Sequence, residues 1–129
     1  MDGQYTDKPA AECRAIRAHL LRQLRQLGPE LIEGSLAVTH NRCGNPNCRC
    51  ARGEKHEKTI LCRKVAGRSH ATYVPKELVG PVREWAARYQ RAKQLLKEIS
   101  AVNEALIRAY GREQRRQQTL AKNLRLVKP

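Results

Sequence analysis

Apolar residues near the start of the chain recur at the spacing of an α-helix. Five of them are separated by three or four positions: Cys13, Ile16, Leu20, Leu24 and Leu27. This stripe predicts one amphipathic helix, which we expect Asp7 to cap and Gly28-Pro29 to end. The arginines that lie off the stripe are expected on the solvated side of the helix. They are Arg14, Arg17, Arg22 and Arg25.

The pattern changes from helical to extended after Gly34. Short runs with β-branched residues follow at 35–40, 58–65 and 69–74, and the last two flank Ala66-Gly67-Arg68. Two such runs around a glycine-containing turn predict a β-hairpin, and the three runs predict an antiparallel sheet. Strand alternation should separate two sets of side chains. One face carries Ile60, Cys62 and Lys64, and the other carries Leu61, Arg63 and Val65.

The longest periodic signal starts at Val82. Its members alternate spacings of three and four: Val82, Trp85, Tyr89, Ala92, Leu96, Ile99, Asn103, Leu106 and Tyr110. This heptad seam predicts a long helix that pairs with a second copy through residues 82–110. The a positions of the seam are Val82, Tyr89, Leu96, Asn103 and Tyr110. Leu95, Val102 and Ile107 widen the stripe, which favours additional packing against the N-terminal helix.

The sequence leaves two features of the long helix undecided, the role of Asn103 and the structure that follows Gly111. Asn103 either fixes the register between paired helices or is a satisfied polar residue at the edge of a bundle. Gly111 is a candidate interruption, after which residues 112–129 form either a continued helix or a disordered basic arm.

Cysteines cluster where the first strand ends. Three of the five lie within Cys43-Gly-Asn-Pro-Asn-Cys48-Arg-Cys50, and His56 follows. Thiolates and imidazole are preferred zinc ligands, so we predict a closed, structural zinc site made by Cys43, Cys48, Cys50 and His56. His40 and Cys62 are rivals for the fourth position, and four cysteines including Cys62 would alternatively suit an iron–sulfur cluster.

This motif completes an α+β prediction in four segments. They are an N-terminal helix at 1–33, a zinc knuckle with a β-hairpin at 34–75, a long heptad helix at 76–111 and a basic tail at 112–129. No nucleophile motif and no phosphate-binding glycine loop is recognisable, so we expect no enzymatic activity.

Charge suggests the class of partner. The formal net charge is +14, from 26 Lys+Arg against 12 Asp+Glu, which favours a polyanion such as nucleic acid. Candidate contacts surround the cysteines and continue on the hairpin and the tail. They are Arg42, Arg49, Arg52, Lys55, Arg63, Lys64, Arg68, Arg112, Arg115 and Arg116. Tyr73 is expected in the core, with base stacking as the alternative.

Location follows from apolar runs and cysteine usage. No apolar run is long enough to span a bilayer, the first residues lack the pattern of a signal peptide, and we expect no membrane partner. An odd, clustered set of cysteines favours a reducing compartment, so the chain is predicted to be cytoplasmic.

Residues 34–107 resemble an uncharacterised family of small basic prokaryotic proteins, often encoded beside transposases. The resemblance rests on Gly34-Ser35-Leu36, on the segment from Cys43 to His56, on 61–67 and on Tyr73-Val74-Pro75-Lys76-Glu77-Leu78. It implies His56 rather than Cys62 as the fourth ligand, and a DNA-related accessory role in a mobile element. The family's aromatic residues after the histidine are replaced here by 57–60, which removes a base-stacking role there.

Two functions therefore remain as predictions. The first is a zinc-stabilised nucleic-acid-binding protein, a DNA-binding accessory or regulatory factor of a mobile element, with duplex DNA favoured over RNA. The alternative is a basic coiled-coil adaptor that docks an acidic protein partner such as a transposase.

Overall fold

The computed structural model describes residues 4–41 and 56–127. Its elements are α1 (Ala10–Gln26), β1 (Ser35–Asn41), β2 (His56–Val65), β3 (Arg68–Val74), a short 3-10 helix (Lys76–Leu78) and α2 (Val79–Val127). The predicted α+β class is confirmed, as is the order of one helix, three strands and a long helix. The predicted zinc knuckle falls on residues 42–55, outside the described part of the chain.

The chain divides into two compact units. Unit 1 contains residues 1–28 and 92–129, and unit 2 contains residues 29–91. The first residues of α2 therefore belong to unit 2, and the rest of that helix belongs to unit 1.

Unit 1 is built on the apolar stripe of α1. The predicted stripe is confirmed, because Cys13 and Leu20 are buried and the other three members pack against the same core. From α2 this core takes Leu95, Val102 and Ala105. Tyr5, which precedes α1, is also buried there. The predicted packing of the long helix against the N-terminal helix is therefore what forms this unit.

The start of α1 differs from the expectation that Asp7 caps it. Pro9 occupies the N-cap position with extended backbone, and no side chain caps the helix. Proline fixes a φ suited to the start of a helix and has no N–H of its own, which explains a start at Ala10. At the other end Gly28 has a φ of +80°, the left-handed conformation that commonly ends helices.

Within one chain, α2 does not bury the later a positions of the predicted heptad seam. Leu96 and Tyr110 are exposed, whereas the neighbouring Leu95 and Val102 are fully buried. The d positions Ala92, Ile99 and Leu106 are buried or partly buried as the seam predicts, whereas Leu95, Val102 and Ala105 are buried outside it.

Gly111 does not interrupt the helix. α2 runs without a break from Val79 to Val127, so the described part of the predicted basic tail is helical. A helix-interior glycine costs only about 1 kcal/mol relative to alanine. The helix formers on both sides of Gly111 therefore compensate for it.

The sheet of unit 2 has the order β1-β2-β3 and is antiparallel throughout. Leu61 and Val74 are buried on one face and form a core with Val82, the first buried residue of α2. Around them pack Ile32, Leu36, Val79 and Trp85. The backbone N–H of Ile32 also donates a hydrogen bond to the carbonyl oxygen of Trp85 at 3.3 Å.

The predicted alternation along β2 holds. The register pairs Leu36 with Leu61 and Leu61 with Thr72, so the strand face that carries Leu61 is the core face. Tyr73 pairs with Ile60 on the opposite face and is 60% exposed. The expectation that Tyr73 lies in the core is therefore wrong, because its neighbours Thr72 and Val74 occupy the core face of the strand.

Candidate functional site

The β2–β3 hairpin extends beyond the rest of the sheet. β1 begins at Ser35, whose partner is Cys62, so residues after Cys62 pair only within the hairpin among the described strands. The pairs there are Arg63 with His70, Lys64 with Ser69 and Val65 with Arg68. Every residue from 63 to 70 is exposed. We call this two-stranded arm, residues 63–70, the ribbon.

A tight turn closes the ribbon. Ala66 has a φ of 52° and Gly67 a φ of 78°. Two central residues with positive φ characterise the type I′ turn, whose twist matches that of a two-stranded hairpin. The turn therefore holds the two strands in a defined register at the tip.

All formally charged residues of the ribbon are positive. It contains Arg63, Lys64 and Arg68 and no carboxylate, a formal charge of +3. Because Val65 pairs with Arg68, the register places Arg63 and Arg68 on one face and Lys64 on the other. None of these cations forms an ion pair or hydrogen bond with another described residue.

Three other cations of the described chain are paired with carboxylates. Arg88 lies 3.7 Å from Glu30 and 3.6 Å from Glu84, and Arg108 lies 2.7 Å from Glu104. Lys8 donates a hydrogen bond to Glu12 at 3.0 Å, and this carboxylate raises the pKa of the Lys8 ammonium. Within unit 2, Arg88 is thus paired with two carboxylates, whereas the three cations of the ribbon have no described partner.

Most of the predicted zinc ligands cannot be placed. Cys43, Cys48 and Cys50 lie outside the described residues, as do Arg42, Arg49, Arg52 and Lys55. For the predicted fourth ligand the backbone is described: His56 begins β2 and is the register partner of Asn41 at the end of β1. The described residues on either side of 42–55 are therefore paired with each other in the sheet.

The two rival ligands occupy different places. Cys62 is half-buried and lies six residues along β2 from His56, about 20 Å away at the rise of an antiparallel strand. His40 is next to Asn41, and its Nδ1 lies 4.0 Å from Oε1 of Glu57. Within residues 4–41 and 56–127, no group of three or more His, Cys, Asp or Glu side chains could hold a metal ion.

The predicted nucleic-acid-binding residues of the tail belong to unit 1. Arg112 donates hydrogen bonds to the carbonyl oxygens of Thr6 at 3.0 Å and Lys8 at 3.5 Å, so it attaches the residues before α1 to α2. Arg115 and Arg116 are exposed on the same helix. The sequence carries no signal for the Arg112 hydrogen bonds, because their partners are more than a hundred positions away.

The role of the Asn103 side chain follows from one hydrogen bond. Its Oδ1 accepts a hydrogen bond from Nη1 of Arg17 at 2.9 Å. Of the two alternatives, a satisfied polar residue at the edge of the helix pair is the one observed. Arg17, expected to be simply solvated, is held by this bond.

None of the helices among residues 4–41 and 56–127 combines the length and apolar character that crossing a membrane requires.

The family comparison gives one match. The model of a family described as a domain of unknown function, DUF6788, matches residues 11–84. That range includes most of α1, the three strands and the beginning of α2. No curated protein and no solved structure matches the chain significantly.

Proposed function

We propose that this chain, which belongs to the DUF6788 family, is a zinc-stabilised protein that binds duplex DNA through its ribbon. The proposal rests on the chemistry of its residues. The observation that carries the proposal is the ribbon itself, a fully exposed two-stranded arm with three unpaired cations and no carboxylate. This charge attracts phosphates and releases counterions from DNA.

The shape of the ribbon also suits a duplex. A two-stranded antiparallel ribbon fits the major groove, which is about 12 Å wide. Arginine can bond to guanine through two donors at once, as well as to phosphate. Arg63 and Arg68 share a face and are suited to base edges, which leaves Lys64 on the other face for the backbone.

Zinc is the second part of the proposal. Cys43, Cys48 and Cys50 supply three thiolates, and His56 supplies an imidazole from the first residue of β2. A closed site of this composition is structural, with no open position for a reacting water. The support is the spacing of the ligands together with the pairing of Asn41 and His56.

A homodimer through α2 completes the proposal. Two apolar side chains of the seam region, Leu96 and Ile107, are 55% and 72% exposed. They lie 11 positions apart on α2, three turns of a helix, and therefore share one side of it. We assign Leu96 and Ile107 to a second copy, which narrows the predicted interface of 82–110 to the side of α2 around these two residues.

The alternative class of function is an adaptor for an acidic protein. Its support is the same unpaired charge, and a role beside a transposase in a mobile element is supported by sequence resemblance alone. Salt separates the two classes, since DNA affinity falls by roughly 0.9 logarithmic units per neutralised phosphate for each tenfold rise in salt.

The test is a salt titration of binding to labelled duplex DNA, measured by fluorescence anisotropy with zinc present. We expect Arg63→Gln with Arg68→Gln to weaken binding at least about tenfold and to reduce discrimination among sequences. The matched control is Lys76→Gln with Arg83→Gln, two exposed cations of the same unit without a described partner. No duplex binding near physiological salt, or equal reductions in the ribbon variant and the control, contradicts the proposal.

A further inference from the structure

A second basic surface lies in unit 1, where α1 and α2 form an open groove of about 670 Å³. Four arginines line it: Arg14 and Arg17 from α1, and Arg112 and Arg116 from α2. Glu113 is the one acidic residue among the lining residues, so they carry a formal charge of +3. Its carboxylate already accepts a hydrogen bond from Nε2 of Gln117 at 3.4 Å.

The arginines of this groove divide into two pairs. Arg17 is bonded to Asn103, and Arg112 is bonded to the backbone of Thr6 and Lys8, so their guanidinium groups are held in place. Arg14 and Arg116 are exposed and have no partner among the described residues. The groove thus has two positioned cations and two that remain available for a ligand.

The wall of the groove is apolar and includes an aromatic ring. Leu106 and Ala109 of α2 and Ala10 of α1 line it. Tyr110 also lines the groove and is 69% exposed, although the heptad seam predicted it to be at a helix interface. An exposed ring beside unpaired guanidinium groups offers a planar surface to a ligand that has both negative charge and a flat face.

We propose that this groove binds a single nucleic-acid strand, with phosphates on Arg14 and Arg116 and one unpaired base stacked on Tyr110. A duplex hides the faces of its bases, whereas a single strand exposes them for stacking on aromatic residues. The inference rests on the proposed function, because both take nucleic acid as the partner. It concerns the groove instead of the ribbon, and a single strand instead of a duplex. It assigns duplex DNA to the ribbon of unit 2 and single strands to unit 1.

The test compares two probes: oligo-deoxythymidine of about ten nucleotides, within the range that single-strand binding folds occupy, and a duplex of equal length. Arg14→Gln with Arg116→Gln should weaken single-strand binding at least about tenfold, since two phosphates then have no cationic partner. Tyr110→Leu should weaken it roughly tenfold because the base has no ring to stack on, and Tyr110→Phe should leave it nearly unchanged.

The matched control removes the same charge from α1 outside the groove, as Arg22→Gln with Arg25→Gln. If this control weakens single-strand binding as much as the groove variant, net charge alone binds the strand and the inference is overturned. Duplex binding by the wild type without single-strand binding overturns the inference and leaves the proposed function standing. Single-strand binding that is sensitive to Tyr110→Leu, without any duplex binding, supports the inference and overturns the proposed binding of duplex DNA.

Discussion

Glycine at position 34 is required by its surroundings. Its φ is +137°, and a Cβ atom there would lie 2.8 Å from the carbonyl oxygen of Cys62. That carbonyl belongs to the β2 backbone, which cannot move without disturbing the sheet. We expect Gly34→Ala to lower the free energy of unfolding by more than about 1 kcal/mol, measured by urea denaturation.

Gly111 provides the matched control, because its substitution should have the opposite sign. A Cβ atom there would meet only Nη1 of Arg115 at 3.5 Å, an ordinary contact with a flexible side chain. Gly111→Ala should therefore raise stability by about 0.5–1 kcal/mol. Destabilisation by both substitutions would show that α2 is not regular at Gly111.

At the scale of elements, the decisive feature of α2 is which of two adjacent leucines faces the core. Leu95 is fully buried, and Leu96 is 55% exposed. Leu95→Ala should cost about 2–5 kcal/mol, because it removes buried apolar surface and leaves a cavity. Leu96→Ala should change the stability of the monomeric chain by less than about 0.5 kcal/mol. Thermal and urea unfolding of the two variants measure this difference. Equal losses of unfolding free energy would show that Leu96 is as buried as Leu95.

The exposure of Leu96 also makes the proposed dimer testable without disturbing the fold. Leu96→Arg should convert a dimer into a monomer, because pairing would bury an unpaired charge. Light scattering gives the mass, and Leu21→Arg on α1, 38% exposed before substitution, serves as the control. A wild-type mass that stays monomeric at all concentrations excludes the assigned interface.

Three of the four predicted zinc ligands lie in the sequence between β1 and β2. We expect elemental analysis to find one zinc per chain, and Cys48→Ser to remove it and lower the melting temperature, because metal binding and folding are coupled. Cys62→Ser is the control, since Cys62 lies at the other end of β2 and should not affect the zinc content. Iron in place of zinc, or metal loss in both variants, contradicts the assignment of ligands.

For the whole molecule, the charge of +14 implies that part of the affinity for DNA is independent of sequence. Residues 118–126 of α2 are exposed, and the segment 118–129 carries Lys122, Arg125 and Lys128. Deleting 118–129 should weaken binding to all duplexes by the same factor and reduce the salt slope by about 0.9 for each phosphate that the segment neutralises. Disappearance of sequence preference in this truncation, with preference intact in the ribbon variant, would reverse the two roles.

Local patterns in the sequence were sufficient to predict the elements of both units. The stripe from Cys13 to Leu27 predicted α1, and the β-branched runs around Ala66-Gly67 predicted the hairpin and its turn. These signals depend on residues a few positions apart, whose spacing reflects the geometry of the helix or strand itself. The positions of Arg63, Lys64 and Arg68 on the hairpin were predicted for the same reason.

Tertiary structure decided the features that depend on distant partners. Leu95 and Leu96 both fit a helical repeat, and only packing against Cys13 and Leu20 of α1 places Leu95 in the core. The ribbon extends beyond β1 because β1 begins opposite Cys62, which no local pattern specifies. The groove of unit 1 joins Arg14 to Arg116 across about a hundred residues of chain. Sequence periodicity specifies which residues share a face, whereas the partner that covers or leaves open that face is specified only by the folded chain.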